Sequence, residues 1–178
     1  SGIGRSVAVL FAREGADVAV LYLDEHEDAK DTQEAVEKEG RKCIVIAGDV
    51  TDPAFCRDAV AQTVKTFGKL DILVANAAIL GVIAPIGHVE AKVFDKVMSV
   101  NVTATWRLIR SVDPLLRLSD AGRAIVMSSS SAHSARAFWA PYAAAKAAVE
   151  ALARAWADET RNYALRVNAV DPGATRTA

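Results

Sequence analysis

Tyr142 and Lys146 stand four residues apart in the run YAAAK. On a helix that spacing places both side chains on one face, one turn apart. An ammonium beside a phenol favours the phenolate and moves the tyrosine toward a range useful for proton transfer. Ser129 lies thirteen residues before Tyr142, at the end of an apolar run that reads as a strand. The C-terminal edge of a parallel sheet is where such folds gather ligand-binding groups, and a hydroxyl there can donate to an oxygen acquiring negative charge. The alternative for Tyr142 and Lys146 is an ordinary surface pair at helical spacing. At the other end, Ser1, Gly2, Ile3 and Gly4 lead into a helical pattern. Glycines in such a turn allow close approach of a pyrophosphate to the backbone, and a helix start offers N–H groups and a positive dipole end. A generic strand-to-helix turn uses glycine as well.

The elements that must hold these residues alternate regularly. Helical periodicity covers about 4–14, with Val7, Leu10 and Phe11 on one face, and Gly15 is placed to end it. The nearly continuous apolar run DVAVLYL (17–23) predicts a strand buried on both faces. A charged helix follows over 25–39, stopped by Gly40, and then the strand CIVIAG (43–48). Asp52 and Pro53 read as the cap and first residue of a helix reaching Phe67, closed by Gly68. The strand LDILVAN (70–76), a helical stretch over 90–112 broken near Pro114, the strand RAIVMS (123–128), a helix over 141–162 and the strand LRVNAV (165–170) complete the order. Strands separated by helices of this length imply right-handed crossovers and a doubly wound parallel sheet. The expectation is one Rossmann-like domain over 1–178, three layers α/β/α, without the first strand such a sheet contains.

Composition narrows the function classes. A net charge of -1, with scattered basic residues, gives no support for a nucleic-acid partner. No apolar run approaches the roughly 18–20 residues of a membrane span, and the opening residues lack a secretory-signal pattern. Cys43 and Cys56 have neither CxxC nor Cys/His ligand spacing, so buried free thiols are expected and no metal site. The expected setting is the cytoplasm. Charge does shift along the chain: residues 1–78 hold 9 Lys+Arg against 14 Asp+Glu, and residues 79–178 hold 12 against 8. Differing helix faces in one natural protein, or a join of two related parents near Ala77–Leu80, both account for it.

Seven motifs in order, SGIG (1–4), DV (49–50), NAA (76–78), Asn101, Ser129, YAAAK (142–146) and NAVDPG (168–173), resemble the short-chain dehydrogenases/reductases over essentially the whole chain. That resemblance implies hydride transfer between NAD or NADP and a small secondary alcohol or its ketone. It assigns Tyr142 as general acid/base and Lys146 as the group that lowers its pKa and binds the nicotinamide ribose. Ser129 would orient the substrate oxygen, and Asn101 would hold a water of the proton relay. On the cofactor side Ser1, Gly2, Ile3 and Gly4 resemble the tail of the glycine-rich loop. Asp49 and Val50 resemble the adenine pair, Asn76 and Ala77 the ribose-supporting strand end, and Pro172, Gly173 and Thr177 the loop over the carboxamide. Related enzymes pair through the helices at 90–112 and 141–162, so a homodimer or homotetramer is implied.

Three departures stand out: the family's first strand with its Thr-Gly, the usual glycine where Ala78 stands, and the C-terminal strand with the substrate lid. The first and last, being losses at the two ends, imply a truncated chain, whereas Ala78 is a mild change that many members share. The second strand ends in Tyr22-Leu23-Asp24 followed by Glu25, with no arginine nearby, which favours NAD over NADP. His133 is expected in an exposed loop, although a place in the substrate pocket is open to it. Trp139 is a candidate for the pocket border. The rival readings are a non-catalytic Rossmann module, an inactive truncated or recombined chain, and a methyltransferase or nucleotide-sugar enzyme on the same sheet. The last two enzyme classes have no need of the tyrosine–lysine pair.

Overall fold

The computed structural model describes residues 2–175, and its elements follow the alternation expected from periodicity. The order is α1 (Gly2–Arg13), β1 (Val18–Tyr22), α2 (His26–Lys38), β2 (Cys43–Ala47), α3 (Pro53–Phe67) and β3 (Ile72–Ala75). A short 3-10 turn (Ile86–His88) precedes α4 (Ala91–Met98), a π-turn (Ser99–Thr103) and α5 (Ala104–Leu116). The remaining elements are β4 (Arg123–Met127), the short α6 (Ser131–Ser134), α7 (Ala140–Glu159) and β5 (Arg166–Val170).

Local chemistry explains the boundaries. The Asp52 carboxylate accepts a hydrogen bond from the Ala54 N–H at 2.8 Å, and Pro53 opens α3 where its missing N–H costs nothing. Gly68 ends the same helix with φ 82°, a left-handed conformation that glycine adopts without strain, and its N–H donates to the Val64 carbonyl.

The described residues divide into two compact units, residues 2–69 with 174–175, and residues 70–173. In the first, β1 and β2 pair in parallel from Val18↔Cys43 to Tyr22↔Ala47. Ala8, Ala12, Val36 and Cys43 form its core, with Val18 and Val20 packed against them. In the second, β4 is central, pairing in parallel with β3 (Ile72↔Arg123) and with β5 (Arg123↔Arg166). Its core is Ala75, Val126, Val149 and Ala153, with Val102 and Val167 alongside. The fold class is thus Rossmann-like α/β with open parallel sheets.

Two expectations are corrected. The strand DVAVLYL was predicted to be buried on both faces, yet β1 is half-buried throughout, and among the described residues it pairs with β2 alone. The helix break expected near Pro114 is absent: α5 runs through Pro114 to Leu116, and the Arg117 N–H resumes the ladder on the Asp113 carbonyl at 3.0 Å. A proline this close to a helix end removes a single ladder bond. The interruption falls instead at the π-turn, Ser99–Thr103.

Candidate active site

Helix α7 starts after Trp139 with Pro141 in its first turn. It carries Tyr142, half-buried, and one turn later Lys146, only 4% exposed. The Lys146 ammonium donates to the Met127 carbonyl at 2.6 Å and lies 5.6 Å from the centroid of the Tyr142 ring. Trp139 meets the same ring edge-on at 6.2 Å. Burial pushes the Lys146 pKa below its ordinary 10.5, because a neutral carbonyl replaces little of the hydration lost. Met127 ends β4, so this bond ties α7 to the C-terminal edge of the sheet. Ser129 follows two residues later, half-buried, with its hydroxyl oxygen 3.3 Å from both the N–H and the hydroxyl of Ser131.

Asn101 occupies the π-turn and is 2% exposed. Its amide oxygen accepts from the Ile79 N–H at 2.8 Å and its amide nitrogen donates to the Ile79 carbonyl at 2.9 Å. The Asn101 carbonyl accepts from the Thr105 hydroxyl at 2.8 Å. The turn lies against α7, so the second unit brings Asn101 and the Tyr142–Lys146 helix together. Single π-turns inside helices occur preferentially at functional sites. Between Ser129 and Tyr142 the backbone has positive φ at Ala135 (41°) and Phe138 (73°), conformations that side-chain-bearing residues adopt at some cost.

Other predicted residues divide between the units. Asn76 and Ala77 continue directly from β3, and Pro172 and Gly173 continue from β5, with the Gly173 N–H donating to the Asp171 carboxylate at 2.9 Å. In the first unit Gly2 (φ 77°), Ile3 and Gly4 form the first turn of α1. Asp49 and Val50 follow β2, where the Asp49 carboxylate accepts from the Thr51 N–H and the Val50 carbonyl from the Cys56 thiol. Ser1 and Thr177 lie outside the described residues. Within the second unit the Lys146 ammonium spends one N–H on Met127 and keeps others suited to a sugar diol; within the first, the N–H groups that open α1 suit a phosphate. Asp24 and Glu25, just past β1, are exposed.

The sequence reading missed Glu150. This residue is 7% exposed and accepts from the Ser128 hydroxyl at 2.5 Å. Its second oxygen is 3.1 Å from the His133 Nε2 and 3.3 Å from an Arg154 guanidinium nitrogen. The Ser128 bond, with help from His133 and Arg154, holds its carboxyl below the usual range against the opposing effect of burial. Its signal was available: Glu150 is the next step after Tyr142 and Lys146 on the same helical face. His133 is exposed as expected, but it sits in α6 rather than in a loop. Among the described residues no three His, Cys, Asp or Glu side chains gather as a metal site. Among the same residues no helix is long and apolar enough to cross a membrane.

Known proteins share this arrangement of elements. The sequence model of the family described as enoyl-(acyl carrier protein) reductase matches residues 1–178. The uncharacterized oxidoreductase YhxC of Bacillus subtilis is 41% identical over 174 residues, which are 97% of this chain and 60% of that protein. An NAD+-bound xylitol dehydrogenase superposes with a TM-score of 0.91 at 28% identity, covering 96% of this chain and 65% of its own. A short-chain dehydrogenase from Shigella flexneri, complexed with NADP, gives 0.89 at 35% identity, covering 97% and 72%. The chain spans about 60% of the length of YhxC and of two further Bacillus subtilis relatives.

Proposed function

The chain belongs to the short-chain dehydrogenase/reductase family, and from that premise we propose that the protein interconverts a secondary alcohol and its ketone, using Tyr142 as proton donor and acceptor. A bound nicotinamide dinucleotide, NAD or NADP, supplies or takes up the hydride. In the direction of reduction, the Tyr142 hydroxyl gives its proton to the carbonyl oxygen as the carbonyl carbon gains hydride. The Ser129 hydroxyl donates to the same oxygen and orients it. Lys146, a buried cation one turn away, offsets the negative charge left on the tyrosine oxygen. Oxidation of the alcohol is the reverse. Asn101, whose side chain is held by the Ile79 main chain, would hold a water of the proton relay.

The observation that carries this reading is Lys146. A buried ammonium held by a neutral carbonyl stabilises the fold poorly, whereas it stabilises nearby negative charge well. For the cofactor, Gly2, Ile3, Gly4, Asp49, Val50, Asn76, Ala77, Pro172 and Gly173, with Ser1 and Thr177, are the proposed contacts, and residues 1–178 then serve as one dinucleotide-binding and catalytic domain. The exposed Asp24 and Glu25 carboxylates disfavour a 2′-phosphate, which supports NAD over NADP. Ala147, Ala151 and Ala155 are exposed along α7, and Trp106 is 44% exposed on α5. Those surfaces suit a homodimer or homotetramer, and a cytoplasmic setting is proposed with it.

The test is turnover of cyclohexanol, isopropanol and sec-butanol with NAD+ and with NADP+, followed by reduced-nicotinamide absorbance. Oxidation of at least one alcohol, faster with NAD+, is expected. Dinucleotide binding without turnover of any alcohol, or of the matching ketones with reduced dinucleotide, would overturn the catalytic reading in favour of a non-catalytic module.

A further inference from the structure

Two successive residues at the end of β4 are gripped by two successive turns of α7. The Met127 carbonyl takes the Lys146 ammonium, and the Ser128 hydroxyl donates to Glu150. The Ser128 N–H is also pinned, at 2.8 Å, to the Val170 carbonyl of β5. Ser129 is therefore the first residue of the chain free to leave the sheet. Glu150 then reaches past it: its second oxygen meets His133 in α6, the helix whose first residue, Ser131, directs its N–H at the Ser129 hydroxyl. One carboxylate thus holds the chain both immediately before Ser129 and four residues after it.

A carboxylate in this position is costly unless it is fully engaged. Glu150 is engaged, by Ser128 from β4, His133 from α6 and Arg154 from its own helix. A grip that served packing alone could be replaced by apolar side chains at little cost. The geometry points to Glu150 as a positioning residue that brackets Ser129 and so sets its hydroxyl against the substrate oxygen. This inference rests on the catalytic reading of Ser129 and Tyr142.

The test uses the full protein with cyclohexanol, isopropanol and sec-butanol as probes, and compares Glu150→Ala, Glu150→Gln, Ser128→Ala and Tyr142→Phe. Glu150→Ala is expected to lower kcat by about tenfold or more, in the range of a lost positioning contact, with the KM for NAD+ unchanged. Glu150→Gln, whose amide oxygen still accepts from Ser128, should recover most of that loss. Ser128→Ala, which leaves the His133 contact in place, should lower kcat less than Glu150→Ala, and the double variant should be no worse than Glu150→Ala. Independently of any substrate, hydrogen exchange should quicken over residues 129–134 in Glu150→Ala and stay unchanged over α5. Unaltered kcat and exchange in Glu150→Ala and Ser128→Ala, beside an inactive Tyr142→Phe, would overturn this inference alone. A Tyr142→Phe variant that retained turnover would overturn the catalytic reading, and this inference with it. Should Glu150→Ala fail to fold, Ser128→Ala and Glu150→Gln decide the matter by the same readouts.

Discussion

The two compact units are built by different rules. In residues 1–69 Thr32 is the one buried polar residue among the described residues, and its hydroxyl merely returns to the Asp28 carbonyl of its own helix. Charge there sits in partly exposed pairs such as Arg13–Glu39 and Arg41–Asp17, although the Arg41 Nε is itself buried and has no hydrogen-bond partner among the described residues. Residues 70–173 bury Asn101, Thr105, Ser128, Ser131, Lys146, Glu150 and Thr160. Buried polar groups have to be matched one by one with partners, and a buried cation remains unfavourable even then. Among the described residues the first unit is thus stabilised mainly by apolar packing, whereas the second buries Lys146, Glu150 and Asn101, and on the proposed function that burial is a cost in stability accepted for proton transfer.

That contrast can be broken by mutation. Its largest expected effect is on turnover: Tyr142→Phe removes the transferable proton with little change in volume, so kcat should fall by about 100-fold or more, with thermal unfolding unchanged. Near-normal turnover would remove Tyr142 from the chemistry. Next comes the scaffold core, where Val36 is 0% exposed. Val36→Ala should cost about 1–3 kcal/mol in denaturant unfolding, while kcat per folded molecule stays at the wild-type value. A catalytic defect beyond the folded fraction would blur the division.

Cofactor choice sharpens the comparison at a smaller scale. Asp24→Asn removes one exposed negative charge beside β1 and should raise kcat/KM for NADP+ relative to NAD+ by about tenfold or less. An unchanged ratio would mean that this carboxylate has no part in the preference. The smallest effect belongs to the surface pairs. Arg13→Ala breaks a partly exposed bond to Glu39 and should change stability by no more than about 1 kcal/mol, read from the same unfolding curves.

Periodicity and turn chemistry made most of the fold legible. The Asp52–Pro53 cap and the Gly68 stop are local signals, and each is honoured by the local backbone. The tyrosine–lysine pair was legible for the same reason, since helical spacing alone puts the two on one face. What stayed hidden depends on partners distant in sequence. The π-turn at Asn101 is fixed by Ile79, and Glu150 draws its meaning from Ser128, twenty-two residues away.

Lys146 tests the central claim, that the second unit gives up stability for chemistry, more directly than any other residue. Burial lowers its pKa from 10.5, so the unfolded chain binds the proton more tightly. Wild-type stability should accordingly rise as pH climbs from the folded pKa toward 10.5. Lys146→Met keeps the length of the side chain and removes the buried charge. The decisive measurement is turnover and thermal midpoint of this variant across alkaline pH. The account predicts turnover lower by about 100-fold or more, a midpoint that holds or rises near neutral pH, and loss of the alkaline rise. A variant that loses stability in step with activity, or that turns over normally, would contradict it.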